Sequence, residues 1–306
     1  MSSPHPLGPD SLTWRYFGDT RTFLLALWAG SMQNMHPGLA AGVEEHSGFF
    51  DERWERLFRS VYPILGVVYD GPRAEETARA VRGYHRGIGG IDAQGRRYHA
   101  LDPETWFWAH ATFLMVSVLL TDHFASPLSG ADKEILYAEA LQWYRLYGVS
   151  ARAAPPDWAS FCEYWDHMCA DVLEDTKAAR DVLDIAHIEK PPMLGLLPDP
   201  LWALVRIPVT RSAVWLTVGL YPQPVRERMG YRWTATDQLL FDTAGRATSL
   251  AWRFVPPPLR YHPRARAGWR RARGQIPMSE PLVETPAVFL PPMDERQDPK
   301  HYVPAS

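Results

Sequence analysis

The chain has 306 residues, of which 46% are apolar, enough for one large domain or two small ones with a substantial buried core. Its formal net charge of −3 at pH 7 argues against a dedicated nucleic-acid-binding protein, because such proteins are normally basic. The only two cysteines, Cys162 and Cys169, fall in a predicted helix that would hold their Cα atoms about 10 Å apart, too far for a disulfide.

Targeting signals are not evident in the sequence. The N-terminal residues lack a charged start followed by an apolar run, so no secretory signal is predicted. The longest apolar stretch runs from Trp106 to Leu120 and is shorter than the roughly 20 residues that a membrane span needs. We therefore expect a soluble cytoplasmic protein without a transmembrane segment, and the sequence leaves homo-oligomerisation open.

Hydrophobic periodicity and capping residues predict a succession of helices. Asp51 and Asp102 are the expected N-caps of two of them, whereas residues 89–102 are rich in turn formers and show too little alternation for a strand. In chain order the helices cover residues 21–35, 39–47, 51–69, 73–88, 103–124, 131–150, 155–176, 176–185, 198–220, 234–253 and 264–273. The pattern predicts an all-α fold, with a single multi-helix domain over residues 1–274 and a proline-rich extended tail over residues 275–306.

The helix over residues 103–124 is apolar nearly all round, which predicts a position at the centre of the fold. It carries His110, with Trp106 and Phe113 on or beside the same face. A buried neutral imidazole needs partners for its nitrogens. One partner could be a haem iron, with the other nitrogen donating to a carbonyl. The alternative is a core histidine satisfied by protein hydrogen bonds, and a lone histidine does not decide between them.

A second group of polar residues lies on the preceding helix. Arg82 and Arg86 continue a stripe of arginines that usually forms a solvated face paired with glutamates, and His85 lies between them. The glycines at 87, 89 and 90 would let the backbone approach a flat ligand closely. An arginine–histidine pair facing an iron could polarise bound dioxygen or hold a propionate.

Seven arginines and no acidic residue lie between Trp252 and Gly274. Such a run is typical of a solvated helix face. The functional alternatives to a solvated face are contact with an anionic membrane surface and contact with acidic groups of a cofactor.

Three stretches of the chain resemble one known family. They are LAAGVEEHSGFF, VRGYHRGIGGIDAQGRRYHALDPETWFWAHATFLMVS, and ALQWYRLYGVS followed by PP-x-x-x-x-F. The most specific element is the motif G-x-x-Y-x-A-x-D-P-x-x-x-x-W-x-H, which begins at Gly95 and ends at His110. On these residues the chain resembles the catalytic domain of the MpaB/rubber oxygenase family, which includes the bacterial latex-clearing protein, with weaker similarity to about Arg273.

The resemblance implies a globin-like core, haem b as cofactor and His110 as the axial ligand of the iron. It implies that Arg82 lines the side of the haem opposite His110. In latex-clearing proteins a lysine that can ligate the iron stands where this chain has His85, and a threonine stands where it has Arg86. The glutamate base of the rubber enzymes has no counterpart in PILGVVYDG, which offers only Asp70. This difference argues against polyisoprene cleavage.

Three functions are therefore compatible with the sequence. The first is a haem b-dependent oxygenase that acts on a small or lipophilic organic substrate with O₂ or peroxide, with Arg82 and His85 as catalytic residues and His110, Arg82, Arg86, Trp106 and Phe113 binding the cofactor. The second is a non-catalytic haem or gas-binding protein in which His85 closes the sixth position. The third is a metal-free helical binding module.

Overall fold

A computed structural model describes residues 5–48, 51–296 and 299–301 of the chain. Among these residues, thirteen α-helices and one small hairpin confirm the all-α prediction; the globin-like arrangement of the core stays a prediction. The helices are α1 (Leu12–Tyr16), α2 (Ala26–Asn34), α3 (Pro37–His46), α4 (Arg53–Tyr69), α5 (Ala74–Tyr84), α6 (Pro103–Leu119), α7 (Gly130–Leu146), α8 (Trp158–His167), α9 (Lys177–Leu183), α10 (Asp199–Leu220), α11 (Gln223–Arg228), α12 (Ala235–Ala251) and α13 (Pro263–Ala272).

Helix α6 lies at the centre of the fold. The side chain of Asp102 accepts hydrogen bonds from the backbone N–H groups of Glu104 and Thr105, and Pro103 occupies the first turn, so the predicted N-terminus is confirmed. The helix packs against α2 and α7 and buries residues on all its sides, among them Phe107 and Trp108. It continues into a π-helical turn, Leu120–Phe124.

Helix α4 begins at Arg53, two residues after the start of the predicted segment. Its N-cap is Glu52, without a side-chain capping bond, so the assignment of Asp51 as N-cap is wrong. The carboxylate of Glu52 instead binds Arg59 and His301. Pro63 lies inside the helix, which continues past it to Tyr69. Helix α4 packs against α5 and α13 and so forms one wall of the interior.

Residues 89–99 form a hairpin that the sequence pattern did not predict. Strands β1 (Gly89–Ile91) and β2 (Arg97–His99) pair antiparallel, with Gly89 opposite His99. Each strand has only three residues, too few for alternation to be recognised. In the connecting turn Gly95 has a φ of +80°, a conformation that favours glycine.

The C-terminal part contains the predicted helices close to their expected positions, together with the short α11, which was not predicted. Among the described residues one helix, α10, combines enough length and apolar character to cross a membrane: it has 22 residues, and its most apolar 18-residue window has a mean hydropathy of 1.2. Beyond α13 the chain lies against α4, where the ring of Phe289 stacks on that of Phe58 with 4.2 Å between centroids. The division at residue 274 stays a prediction. Both cysteines are free thiols, as expected.

Candidate functional site

A cavity of about 320 Å³ opens beside the central helix, a size typical of small-molecule sites. Its walls come from α2 to α6 and from the 3₁₀ turn Thr20–Leu25, with contributions from residues near both ends of the chain. Most of the lining side chains are apolar, and among the described residues none is an aspartate or glutamate. The cavity therefore suits an apolar ligand.

His110 contributes one polar group to this wall, and it is 3% exposed. Its Nε2 lies 2.8 Å from the carbonyl oxygen of Ala140 in α7, which can only accept, so Nε2 carries the proton and donates. Burial lowers the pKa of His110 to about 4, which keeps the ring neutral at pH 7. Nδ1 then holds the lone pair, and no described residue binds it.

Aromatic rings fix the orientation of this imidazole. The rings of Trp143 and Tyr144 on α7 approach it edge-on, with centroid distances of 4.7 and 5.1 Å. A buried nitrogen lone pair without a hydrogen bond is costly. A ring held by a backbone carbonyl at one nitrogen, with the other nitrogen unoccupied, is the usual arrangement of a metal-binding histidine.

His85 lines the same cavity from the end of α5. Its Nδ1 lies 2.8 Å from the carbonyl oxygen of Val81 and donates to it, which leaves the lone pair on Nε2. Burial lowers the pKa of His85 to about 4, so this ring is also neutral. It packs edge-on against Trp106 at 4.8 Å. The structure thus brings His85, His110 and Trp106 together, and Phe113 also lines the cavity.

Arg82 and Arg86 do not line the cavity. Arg82 donates from Nη1 to the carbonyl oxygen of Gly148 at 3.1 Å, and Arg86 is exposed. The reason is helical geometry: Val81 and His85, four residues apart, face the cavity, and a residue one position further along the helix is rotated by about 100°. The roles predicted for Arg82 and Arg86 stay predictions.

Other polar residues of the cavity were not found from the sequence. His46 and His262 line it, as do Arg56 and Lys300, which give it positive charge. Burial and nearby arginines lower the pKa of His262 to about 3. His46 lies in the stretch LAAGVEEHSGFF, which carries part of the family resemblance, but its role at the cavity was not recognised. The other three residues belong to segments far apart in the chain and share no motif.

Asp70, the carboxylate that the sequence offered in place of the missing glutamate, is not at the cavity. It is 1% exposed and is bound by Arg264 of α13 and by the hydroxyl of Thr77. Arg264 therefore does not belong to a solvated helix face, contrary to the expectation for the arginine run. Asp70 is a structural group that joins two helices.

Residues 14–250 match the sequence profile described as "ER-bound oxygenase mpaB/B'/Rubber oxygenase, catalytic domain". No curated protein and no solved structure matches the chain. The matched region includes α2 to α11, all but the last residue of α12 and nearly all of the cavity wall. The chain belongs to this oxygenase family.

Proposed function

Given this membership, we propose that the chain is a haem b-dependent oxygenase that acts on a small lipophilic organic substrate with O₂ or peroxide. The observation that carries the proposal is the state of His110. The ring is neutral, it is oriented by the carbonyl of Ala140, and its Nδ1 has no partner among the described residues beside an apolar cavity.

The residues of the cavity fit haem. Nδ1 of His110 would bind the iron, and Trp106 and Phe113 offer apolar contact to a flat ring. Among the described residues no three histidine, cysteine, aspartate or glutamate side chains could together hold a metal ion. An iron bound by His110 would therefore take its remaining ligands from a group such as a porphyrin. When bound, haem supplies the iron that activates oxygen or peroxide.

The chain's own residues would exclude water, position the substrate and move protons. The apolar wall selects a lipophilic substrate, since a polar one would lose its hydrogen bonds to water without replacement. With no carboxylate in the described lining, proton transfer falls to an imidazole. His85 is suited to it because its Nε2 can accept a proton or a hydrogen bond while Nδ1–H is held by Val81. Polyisoprene cleavage is not part of the proposal.

His85 also supports a second candidate function. Its neutral imidazole lines the same cavity as that of His110, and if it also bound the iron the chain would be a haem or gas-binding protein without turnover. An iron with two histidine ligands would be six-coordinate and low-spin. Absorption spectra with and without CO distinguish this protein from an enzyme with an open coordination position.

The test is to measure haem per chain and the Soret band of the full-length protein, purified or reconstituted with haemin. The variant His110→Gln retains an amide that can donate to the Ala140 carbonyl but lacks the imidazole, and it should lose the Soret band while its helical circular dichroism stays. His262→Asn is the matched control: it removes another cavity imidazole but keeps a side chain that can accept from the Arg264 N–H, as His262 does.

We expect the control to bind haem as the unmodified chain does. Full haem binding by His110→Gln, or an unmodified chain that stays colourless after incubation with haemin, would refute the proposal. The second result would favour a metal-free helical protein in which His110 is a core residue.

A further inference from the structure

The first half of α10 and the loop before it expose large apolar side chains. Leu196 is 102% exposed, Leu204 is 74% exposed and Val209 is 49% exposed, with Leu201 also exposed. Leu201 and Leu204 are three residues apart and so lie on the same side of the helix. Soluble monomers commonly expose single apolar residues, but they rarely expose several within one short segment.

Helix α12 and the residues after it expose a second apolar set. It includes Leu239, Leu250 and Leu259, and the ring of Phe254, which is 82% exposed. The two sets belong to neighbouring elements, because α10 packs against both α12 and the turn Thr20–Leu25. The same 3₁₀ turn also contacts the segment after α12, because the Thr20 hydroxyl donates to the Leu259 carbonyl at 2.7 Å. We call these residues the apolar face: Leu196, Leu201, Leu204, Val209, Leu239, Leu250, Phe254 and Leu259.

Positive charge accompanies the apolar face. Arg211 on α10, Arg246 on α12 and Arg253 just after it are exposed, and none forms an ion pair with a carboxylate among the described residues. Residues 243–279 contain no acidic residue. Of the carboxylates on the two helices, Asp199 pairs with Lys190, whereas Asp237 and Asp242 accept hydrogen bonds from the neutral side chains of Thr234 and Gln238.

We propose that the apolar face docks on a membrane surface that contains anionic lipid, with α10 and α12 lying in the interface. Apolar side chains inserted among arginines that lack a carboxylate partner are the features of an interfacial helix. Docking of this kind does not depend on haem or on catalysis.

A second copy of the chain fits the face less well. In a twofold-symmetric dimer the same patch of both copies forms the interface, so a patch that carries several arginines would meet a patch with the same excess of positive charge. Like charges placed together across an interface are unfavourable. An anionic lipid surface, in contrast, offers the opposite charge to every one of these arginines at once.

A membrane-spanning α10 also agrees less well with the structure than an α10 that lies in the interface. Arg206 and Arg211 lie in the middle of the helix, where a spanning helix would hold both charges in the hydrocarbon. The last turns of α10 bury Thr217, Val218 and Leu220 inside the protein. Lying along the interface keeps those contacts and leaves the arginines at the level of the lipid headgroups.

Docking would bring one wall of the cavity close to the lipid. In the turn Thr20–Leu25, which packs against α10, Thr22 and Phe23 line the cavity, whereas Leu24 is partly exposed on the outside. A lipophilic molecule dissolved in the bilayer would then have a short route to the cavity.

The test is sedimentation of the full-length chain with vesicles of phosphatidylcholine, with and without phosphatidylserine. We expect tighter binding to the phosphatidylserine vesicles and a loss of that preference at high salt. Leu204→Ser combined with Phe254→Ser should lower the partition coefficient by about tenfold or more, because each side chain would no longer insert. The matched control is Ile135→Ser on α7, which is also exposed but lies outside the face, and it should leave binding unchanged.

The charge is tested separately. Arg246→Gln with Arg253→Gln should reduce binding to phosphatidylserine vesicles by about fivefold for each arginine. The control Arg79→Gln removes an exposed arginine of α5, which pairs with Glu75, and should have no effect.

Several outcomes would overturn the proposal. One is no binding to either vesicle, and another is binding that the Leu204 and Phe254 substitutions leave unchanged. A third is a concentration-dependent dimer that the same substitutions dissociate, which would show that a second copy covers the face. Vesicle-bound protein that resists extraction at alkaline pH would show a spanning helix instead.

Discussion

The buried ion pair between Asp70 and Arg264 joins α4 to α13, and we predict that Asp70→Asn strongly destabilises the fold. The side chains of Asp70 and Arg264 are 1% and 7% exposed. Nε of Arg264 lies 3.0 Å from Oδ1 and Nη2 lies 2.5 Å from Oδ2. The same guanidinium donates to the carbonyl of Tyr62, and the Thr77 hydroxyl donates to Oδ2 of Asp70.

Asparagine has nearly the shape of aspartate but carries no charge. It would leave the guanidinium of Arg264 buried without a counterion, and breaking a buried pair in this way typically costs about 3–5 kcal/mol. Such a loss is a large part of the roughly 5–15 kcal/mol that stabilises a folded domain. Removing both charges avoids the uncompensated ion, so Asp70→Asn combined with Arg264→Met should recover most of the lost stability.

The measurement is urea unfolding followed by circular dichroism, for the unmodified chain, both single variants and the double variant. A loss below about 1 kcal/mol for Asp70→Asn would refute the reasoning, since it would mean that the pair is effectively solvated. If Asp70→Asn instead abolished oxidation of a substrate without lowering the free energy of unfolding, Asp70 would be a catalytic base, contrary to its position in the structure.

Three further predictions follow from the packing. Burial lowers the pKa of His110 to about 4 from 6.5, so in the haem-free chain its contribution to stability is complete above about pH 6.5 and is lost as the pH falls toward 4. Thermal unfolding of the haem-free chain near pH 5 should therefore occur at a lower temperature than near pH 7, and the difference should be smaller in His110→Gln. Gly245→Ala would place a Cβ 2.4 Å from the backbone oxygen of His123 and should cost about 1–3 kcal/mol in urea unfolding, whereas Gly130→Ala, where the space is open, should cost almost nothing. Phe289→Ala removes a ring that is 8% exposed and should cost about 3 kcal/mol; an unchanged midpoint would mean that the C-terminal segment does not stabilise α4.

Local sequence was sufficient for most of the helices. Asp102, Pro103 and the apolar residues that follow specify where α6 begins and why it is buried, because caps and periodicity act within a few residues. His110 was singled out by its position on this apolar helix, but its role as an iron ligand came only from the family resemblance. The motif that carries the resemblance runs from Gly95 in the hairpin turn to His110 in α6. Elements of only a few residues, such as the hairpin at Gly89–His99, contain too little pattern to be predicted.

The tertiary structure decided which groups meet at the site. The partner of His110 is the carbonyl of Ala140 on another helix, and His262 reaches the cavity from near the opposite end of the chain. Arg82 and His85 are only three residues apart in sequence, but of the two only His85 lines the cavity. The physical reason is that helical periodicity defines a face only relative to its own helix, whereas the packing of distant helices determines what that face contacts.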